Sequence, residues 1–173
     1  LLDHLAHGRF IWGIGTGGFP GDFEVFGVDP STGIQNIITK NSLDLILQMW
    51  KNPQPKRYKS DHWDFSIPKP INEIGQKYHF KPYQKPHPPI AMSGASRNSK
   101  SLEIASANGW IPISINLIPV EALKTHRDAI NLGAEKSGKI PDRSNWRIAR
   151  QIYVADSTKS AYTQATGGTM ARD

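Results

Sequence analysis

Apolar positions along this chain come in short runs, separated by segments of helical spacing. Arg9 to Gly15 (RFIWGIG) is short, apolar and built from large side chains, which predicts a buried strand. Gly15 to Gly21 (GTGGFPG) is a glycine loop. Thr32 to Trp50 reads as a helix: Leu43, Ile46, Leu47 and Trp50 recur on one face, and Asn52-Pro53 ends it. From Pro53 to Pro89 the prolines are too frequent for helices, and only His62 to Ile67 (HWDFSI) suggests an extended piece or hairpin arm.

The second half is more regular. Pro89 to Ser93 is the second predicted strand, Gly94 to Asn98 a turn, and Ser99 to Asn108 a short helix closed by Asn108-Gly109. Ile111 to Asn116 is the third strand, with Ile111, Ile113 and Ile115 on one side. Pro119 suits the first turn of a helix that runs towards Gly138. Ile148 to Ala155 is the fourth strand, and Asp156, Ser157 or Thr158 could cap a last helix. Strands separated by helices mean βαβ units and a parallel sheet, an α/β fold.

Composition narrows the classes. The 173 residues suffice for one ordinary domain, and 38% apolar content is a lean but adequate core. No apolar run approaches a membrane span, and Leu1 to Phe10 lacks the layout of a signal peptide. Cysteine is absent, which removes disulfides and thiolate metal sites and fits the cytoplasm. The net charge of +6 raises a nucleic-acid partner. Its densest run, Lys51 to Lys59, is broken by Pro53 and Pro55 and has no recognition pattern, so scattered surface lysines explain the charge better.

Ligands of parallel α/β folds bind at the carboxyl ends of strands, and two such ends carry unusual loops. Gly13-Ile14-Gly15-Thr16-Gly17-Gly18 matches GxGxxG, but Phe19-Pro20-Gly21-Asp22 favours a continued loop over the helix a dinucleotide fingerprint needs. Consecutive glycines offer instead a wall of bare backbone for a flat ring, or a plain turn. Ser93-Gly94-Ala95-Ser96-Arg97-Asn98-Ser99 lies between a strand and a helix. It combines amide N–H groups, hydroxyls and one guanidinium, which suits a phosphate, although Ser96 or Ser99 could simply cap the helix. His4 and His7 are too few for a metal site, and His126 falls inside a helix. Trp63, Phe65 and Phe80 could line a substrate pocket or pack under the proline-rich loop.

Several of these segments together resemble one family. Leu2-Asp3-His4-Leu5-Ala6-His7-Gly8-Arg9-Phe10, running into Gly13 to Gly17, resembles the "LDxLSxGR…GxGxG" stretch of bacterial-luciferase-like flavin-dependent monooxygenases. Lys81 to Ile90 (KPYQKPHPPI) is similar to the family's "rPxQxPhPPI" lead into a barrel strand, Ser93 to Ser96 continues it, and Arg150 to Ser157 is similar to its late "vyVADT" strand. The details look closest to the limonene 1,2-monooxygenase-like branch.

The resemblance implies a partial TIM-type (β/α)8 barrel: about four central βα units, the fourth to seventh strands, in one incomplete domain over 1–173 with a proline-rich insertion at about 53–88. It implies an FMN-dependent monooxygenase. Reduced FMN, supplied by a separate NAD(P)H-dependent reductase, and O2 would place one oxygen atom in a small apolar organic substrate such as a terpene or aldehyde. Gly15, Thr16 and Gly17 would face the flavin; luciferases tend to carry a basic residue where Thr16 falls. Ser93, Gly94, Ala95, Ser96, Asn98 and Ser99 would then take most of the phosphate, and Phe19 and Phe23 the substrate. Catalytic residues are expected outside this stretch. Neither nucleic acid, membrane nor metal is expected; a homo- or hetero-dimer is compatible. The alternatives are an F420-dependent oxidoreductase of the same superfamily and a non-catalytic flavin-binding relative. Half a barrel would leave open strand edges and bare core side chains such as Ile113 and Ile152, so the isolated stretch should aggregate; a sharp cooperative melt of this stretch alone would contradict that.

Overall fold

The computed structural model describes residues 1–77 and 81–168. They fall into two compact units, Leu1–Ser93 with Gly109–Ile111, and Gly94–Asn108 with Pro112–Asp173.

In the first unit, helix α1 (Leu2–Leu5) leads to strand β1 (Trp12–Ile14). Helix α2 (Pro20–Val25) follows where a continued loop was expected. Pro20 occupies its first turn, where a missing N–H costs nothing and the fixed φ favours helix. Helix α3 (Ile34–Lys51) carries the predicted apolar face: Leu43 is buried and Trp50 packs on Trp12 at 4.9 Å between ring centroids. The proline-rich stretch holds a hairpin of β2 (Arg57–Lys59) and β3 (Asp64–Ser66). Tyr58 stacks on Phe65 at 5.4 Å, and Trp63 Nε1–H donates to Ser42 Oγ on α3 at 3.1 Å. Strand β4 (Ile90–Gly94) runs parallel to β1, with Trp12 opposite Ile90 and Ile14 opposite Met92.

Asp3 and Gln84, from the first two family-like segments, meet here. The Asp3 carboxylate accepts the Gln84 backbone N–H (2.9 Å) and side-chain Nε2–H (2.8 Å), and Gln84 also donates to the Phe10 carbonyl. Burial alone would raise the Asp3 pKa, but the Gln84 donors outweigh it and hold the carboxyl below its ordinary value.

The second unit contains helix α4 (Lys100–Asn108), all of strand β5 (Ile111–Ser114) after Ile111, helix α5 (Leu123–Lys136), strand β6 (Arg147–Ile148) and helix α6 (Thr158–Gly167). Strands β5 and β6 are parallel, with Ser114 opposite Ile148. The last strand differs from expectation. Pairing is confined to Arg147–Ile148, whereas Ile152 and Val154 are 77% and 84% exposed. Alternating apolar residues make a strand only where a neighbouring strand receives them. Arg150 instead ties down the chain that leaves β5, since its Nη1 donates to the carbonyls of Ile115 and Ile118. On β5 the buried side is Pro112 and Ser114, while Ile111, Ile113 and Ile115 are half-buried. Ser157 caps α6 by accepting the Ser160 N–H.

Helices α4 and α5 approach unusually closely. Leu102, Ala105, Ala129, Ile130 and Ala134 are buried among them, and a Cβ on Gly133 would lie 2.1 Å from the Glu103 carbonyl oxygen. Glu103 bridges Lys100 and Lys136; their donors hold its carboxyl below the usual range. Gly133→Ala should therefore destabilise the full-length protein by about 2 kcal/mol or more, since backbone cannot yield as a side chain can. Thermal melting checks this; an unchanged midpoint would contradict the close approach.

Candidate functional site

In the first unit the chain leaves β1 through a series of closely spaced glycines. A Cβ on Gly13, Gly15 or Gly18 would meet nothing within 4 Å, so bare backbone borders open space there. Gly17 differs: its φ is +83°, and an added Cβ would sit 3.2 Å from the Phe23 ring. Gly15, Thr16, Gly17, Phe23, Ile38 and Trp63 line a cavity of about 560 Å³, with His62 and Thr39 among its polar contributors. That volume is in the range of small-molecule sites. Phe23 thus stands with the three predicted flavin-facing residues. Phe19 does not line that cavity; it is 68% exposed and its ring lies against Gly21. Trp63 lines the cavity, Phe65 is taken up by Tyr58, and Phe80 lies outside the described residues. A second cavity, about 590 Å³ between α3 and the hairpin, is also lined by Trp63 but by none of the residues predicted to face flavin or phosphate.

Of the other predicted loop, Ser93 belongs to the first unit and is exposed. Gly94 to Ser99 belong to the second. Gly94 is obligatory there: an added Cβ would lie 2.7 Å from Leu102 and 2.9 Å from Ser99 Oγ. Ser99 is buried, and its carbonyl accepts the Leu102 and Glu103 N–H groups that open α4. Ala95, Ser96, Arg97 and Asn98 are exposed. Asn98 has φ +51°, a left-handed conformation that asparagine tolerates. Among the described residues the N–H groups of Ser96 and Arg97 meet no protein acceptor, which leaves donors for an anion.

Helix α5 holds this loop from below. Thr125 Oγ1 accepts the Asn98 N–H at 3.1 Å, and His126 Nε2 lies 2.7 Å from the Ser96 carbonyl oxygen. His126 Nδ1 lies 2.8 Å from Ser114 Oγ, which also accepts Trp146 Nε1–H at 2.8 Å. His126 lies outside every family-like segment of the sequence. The signal is its place in line with Ala122, Ala129 and Ile130 on the core face of α5, where a polar residue needs a partner. Among the described residues no group of histidine and acidic side chains could hold a metal, and no helix is long and apolar enough to cross a membrane.

The model of the luciferase-like monooxygenase family matches residues 1–172. This chain belongs to that family. Similar proteins include 3,6-diketocamphane 1,6-monooxygenase of Pseudomonas putida, 29% identical over 92% of this chain and 46% of that protein. Limonene 1,2-monooxygenase of Rhodococcus erythropolis is 24% identical over 97% of this chain and 41% of its own length. Among solved structures, the oxygenating constituent of 3,6-diketocamphane monooxygenase from Pseudomonas putida, a type II Baeyer–Villiger monooxygenase in complex with FMN, superposes with a TM-score of 0.85. It shares 28% identity, over 99% of this chain and 47% of that one. The luciferase-like chain therefore has a partial TIM-type barrel fold, and spans about half the length of the curated relatives it matches.

The glycines of the first loop differ in what they tolerate. Gly15→Ala should leave thermal stability within about 0.5 kcal/mol in the full-length protein, because its Cβ meets nothing. Gly17→Ala should cost about 1–2 kcal/mol through its positive φ and the Phe23 contact. Equal melting points for the two variants would contradict this geometry.

Proposed function

We propose that the protein containing this chain is an FMN-dependent monooxygenase that inserts one atom of O2 into a small apolar organic substrate, a terpene or comparable molecule. The carrying observation is the open glycine backbone beside the cavity of about 560 Å³ whose walls include Phe23, Ile38 and Trp63. An aromatic ring system needs a flat wall that side chains do not occupy, and Gly15 has open space where a side chain would project. Family membership and the FMN bound by a relative of 28% identity support the same cofactor.

Gly15, Thr16 and Gly17 would lie against the flavin or its ribityl chain. Ser93, Gly94, Ala95, Ser96, Asn98 and Ser99 would hold the phosphate, with hydroxyls and amides as donors. Reduced FMN, delivered by an NAD(P)H-dependent reductase, supplies the two electrons that leave one oxygen atom in the substrate and the other in water. The protein's own work is to bind, orient and exclude water: Phe23 and Trp63 present apolar surface to the substrate, and lost solvent strengthens the polar contacts that remain. Phe19 takes a substrate role from the family resemblance and not from this cavity, which it does not line.

Flavin fluorescence titration of the full-length protein tests this reading, comparing FMN, riboflavin and F420. FMN should bind best, and substrate should raise oxygen uptake beyond hydrogen peroxide release. No binding at high micromolar FMN, or a clear preference for F420, would overturn it; bound flavin without substrate-dependent uptake would indicate a non-catalytic relative. Ser96→Ala combined with Ser99→Ala should weaken FMN about tenfold and leave riboflavin, which lacks the phosphate, nearly unchanged. Equal weakening of both would remove the phosphate from this loop.

A further inference from the structure

We propose that His126 is a positioning residue that presets the Gly94–Ser99 loop for the flavin phosphate; this rests on the flavin reading above.

His126 is fully buried, yet packing gives no reason for a histidine at this position. Its neighbours on the core face are Ala122, which caps α5, and Ala129, Ile130 and Ala134 on the helix itself, and an apolar side chain would bury with less penalty. Both ring nitrogens are used instead. The Ser96 carbonyl can only accept, so Nε2 carries the proton and donates to it. Ser114 Oγ, itself fully buried, accepts the indole N–H of Trp146 and has its own hydrogen left to donate to Nδ1. Every group in the run Trp146, Ser114, His126, Ser96 is satisfied with a neutral ring in one tautomer. The loop carbonyl thus fixes the tautomer, and the hydroxyl supplies the donor that the remaining ring nitrogen needs.

The adjacent residue completes the clamp. Thr125 Oγ1 donates to the Ala122 carbonyl and accepts the Asn98 N–H. Neighbouring positions of α5 therefore hold a carbonyl and an amide two residues apart in the loop, on either side of Arg97. With those two groups turned towards α5, the exposed side chains of Ser96 and Asn98 and the N–H groups of Ser96 and Arg97 are left for a ligand. A loop fixed beforehand loses less freedom on binding, which is a gain in affinity for whatever it holds.

Variants of the full-length protein test this, with dissociation constants for FMN and riboflavin and a melting curve without flavin. His126→Leu should raise the FMN constant about tenfold or more and move riboflavin by less than about twofold. His126→Gln keeps a donor for Ser96 and an acceptor for Ser114, and should return FMN to within about threefold of the parent. Ser114→Ala removes one hydroxyl and should weaken FMN several-fold, again with riboflavin little changed. FMN binding that is insensitive to His126→Leu, equal loss of FMN and riboflavin, or a glutamine variant as weak as the leucine one would each overturn the proposal. Should His126→Leu fail to fold, Ser114→Ala decides: an unaltered preference for FMN over riboflavin overturns it. A parent protein that binds no FMN sinks the flavin reading itself. A parent that prefers FMN, with a preference Ser114→Ala does not change, sinks only the role of His126.

Discussion

Parallel pairing of β1 with β4 is the constraint on which the candidate site depends. The register that sets Ile14 opposite Met92 brings both strands to their carboxyl ends on one edge, β1 leaving at Gly15 and β4 running on through Ser93 and Gly94. Antiparallel strands joined by a short turn would put those ends apart. A parallel pair requires a long crossover instead, and α3 and the hairpin occupy it. Both loops therefore begin at strand carboxyl ends, where amide groups and helix starts gather without special arrangement.

Glycine serves two different purposes in these loops. Gly94 admits no side chain because Leu102 and Ser99 crowd it, while Gly15 lacks one beside open space. These are opposite reasons for the same residue type. The support of the Gly94–Ser99 loop comes from α5, and the position of α5 depends on Gly133 letting it meet the Glu103 backbone. Small residues set the distance between helices, and the polar residues then fall within hydrogen-bond reach.

Much of this was legible in the sequence, for identifiable reasons. The core face of α3 and the positions of β1, β4 and β5 follow from side-chain periodicity, which burial enforces directly. The loops at 13–18 and 93–99 were found because glycine and serine clusters at strand ends have few other uses. Three things were not legible. Helix α2 was hidden because Pro20-Gly21 resembles a turn, although proline also opens helices. The stretch after Ile148 has the alternation of a strand without pairing as one, since alternation reports only which side faces apolar surroundings. The third is His126, since histidine spacing alone cannot show that Ser96 and Ser114 converge on its two nitrogens.

The Asp3–Gln84 clasp also bears on how the chain reaches this arrangement. It joins residues 81 positions apart, and closing a flexible loop of that length costs about 4 kcal/mol of chain entropy, the same order as several hydrogen bonds. Two hydrogen bonds to one carboxylate do little more than offset that cost in an otherwise unfolded chain. The clasp must wait until α3 and the hairpin have shortened the path between its ends. It acts as a latch on structure already assembled.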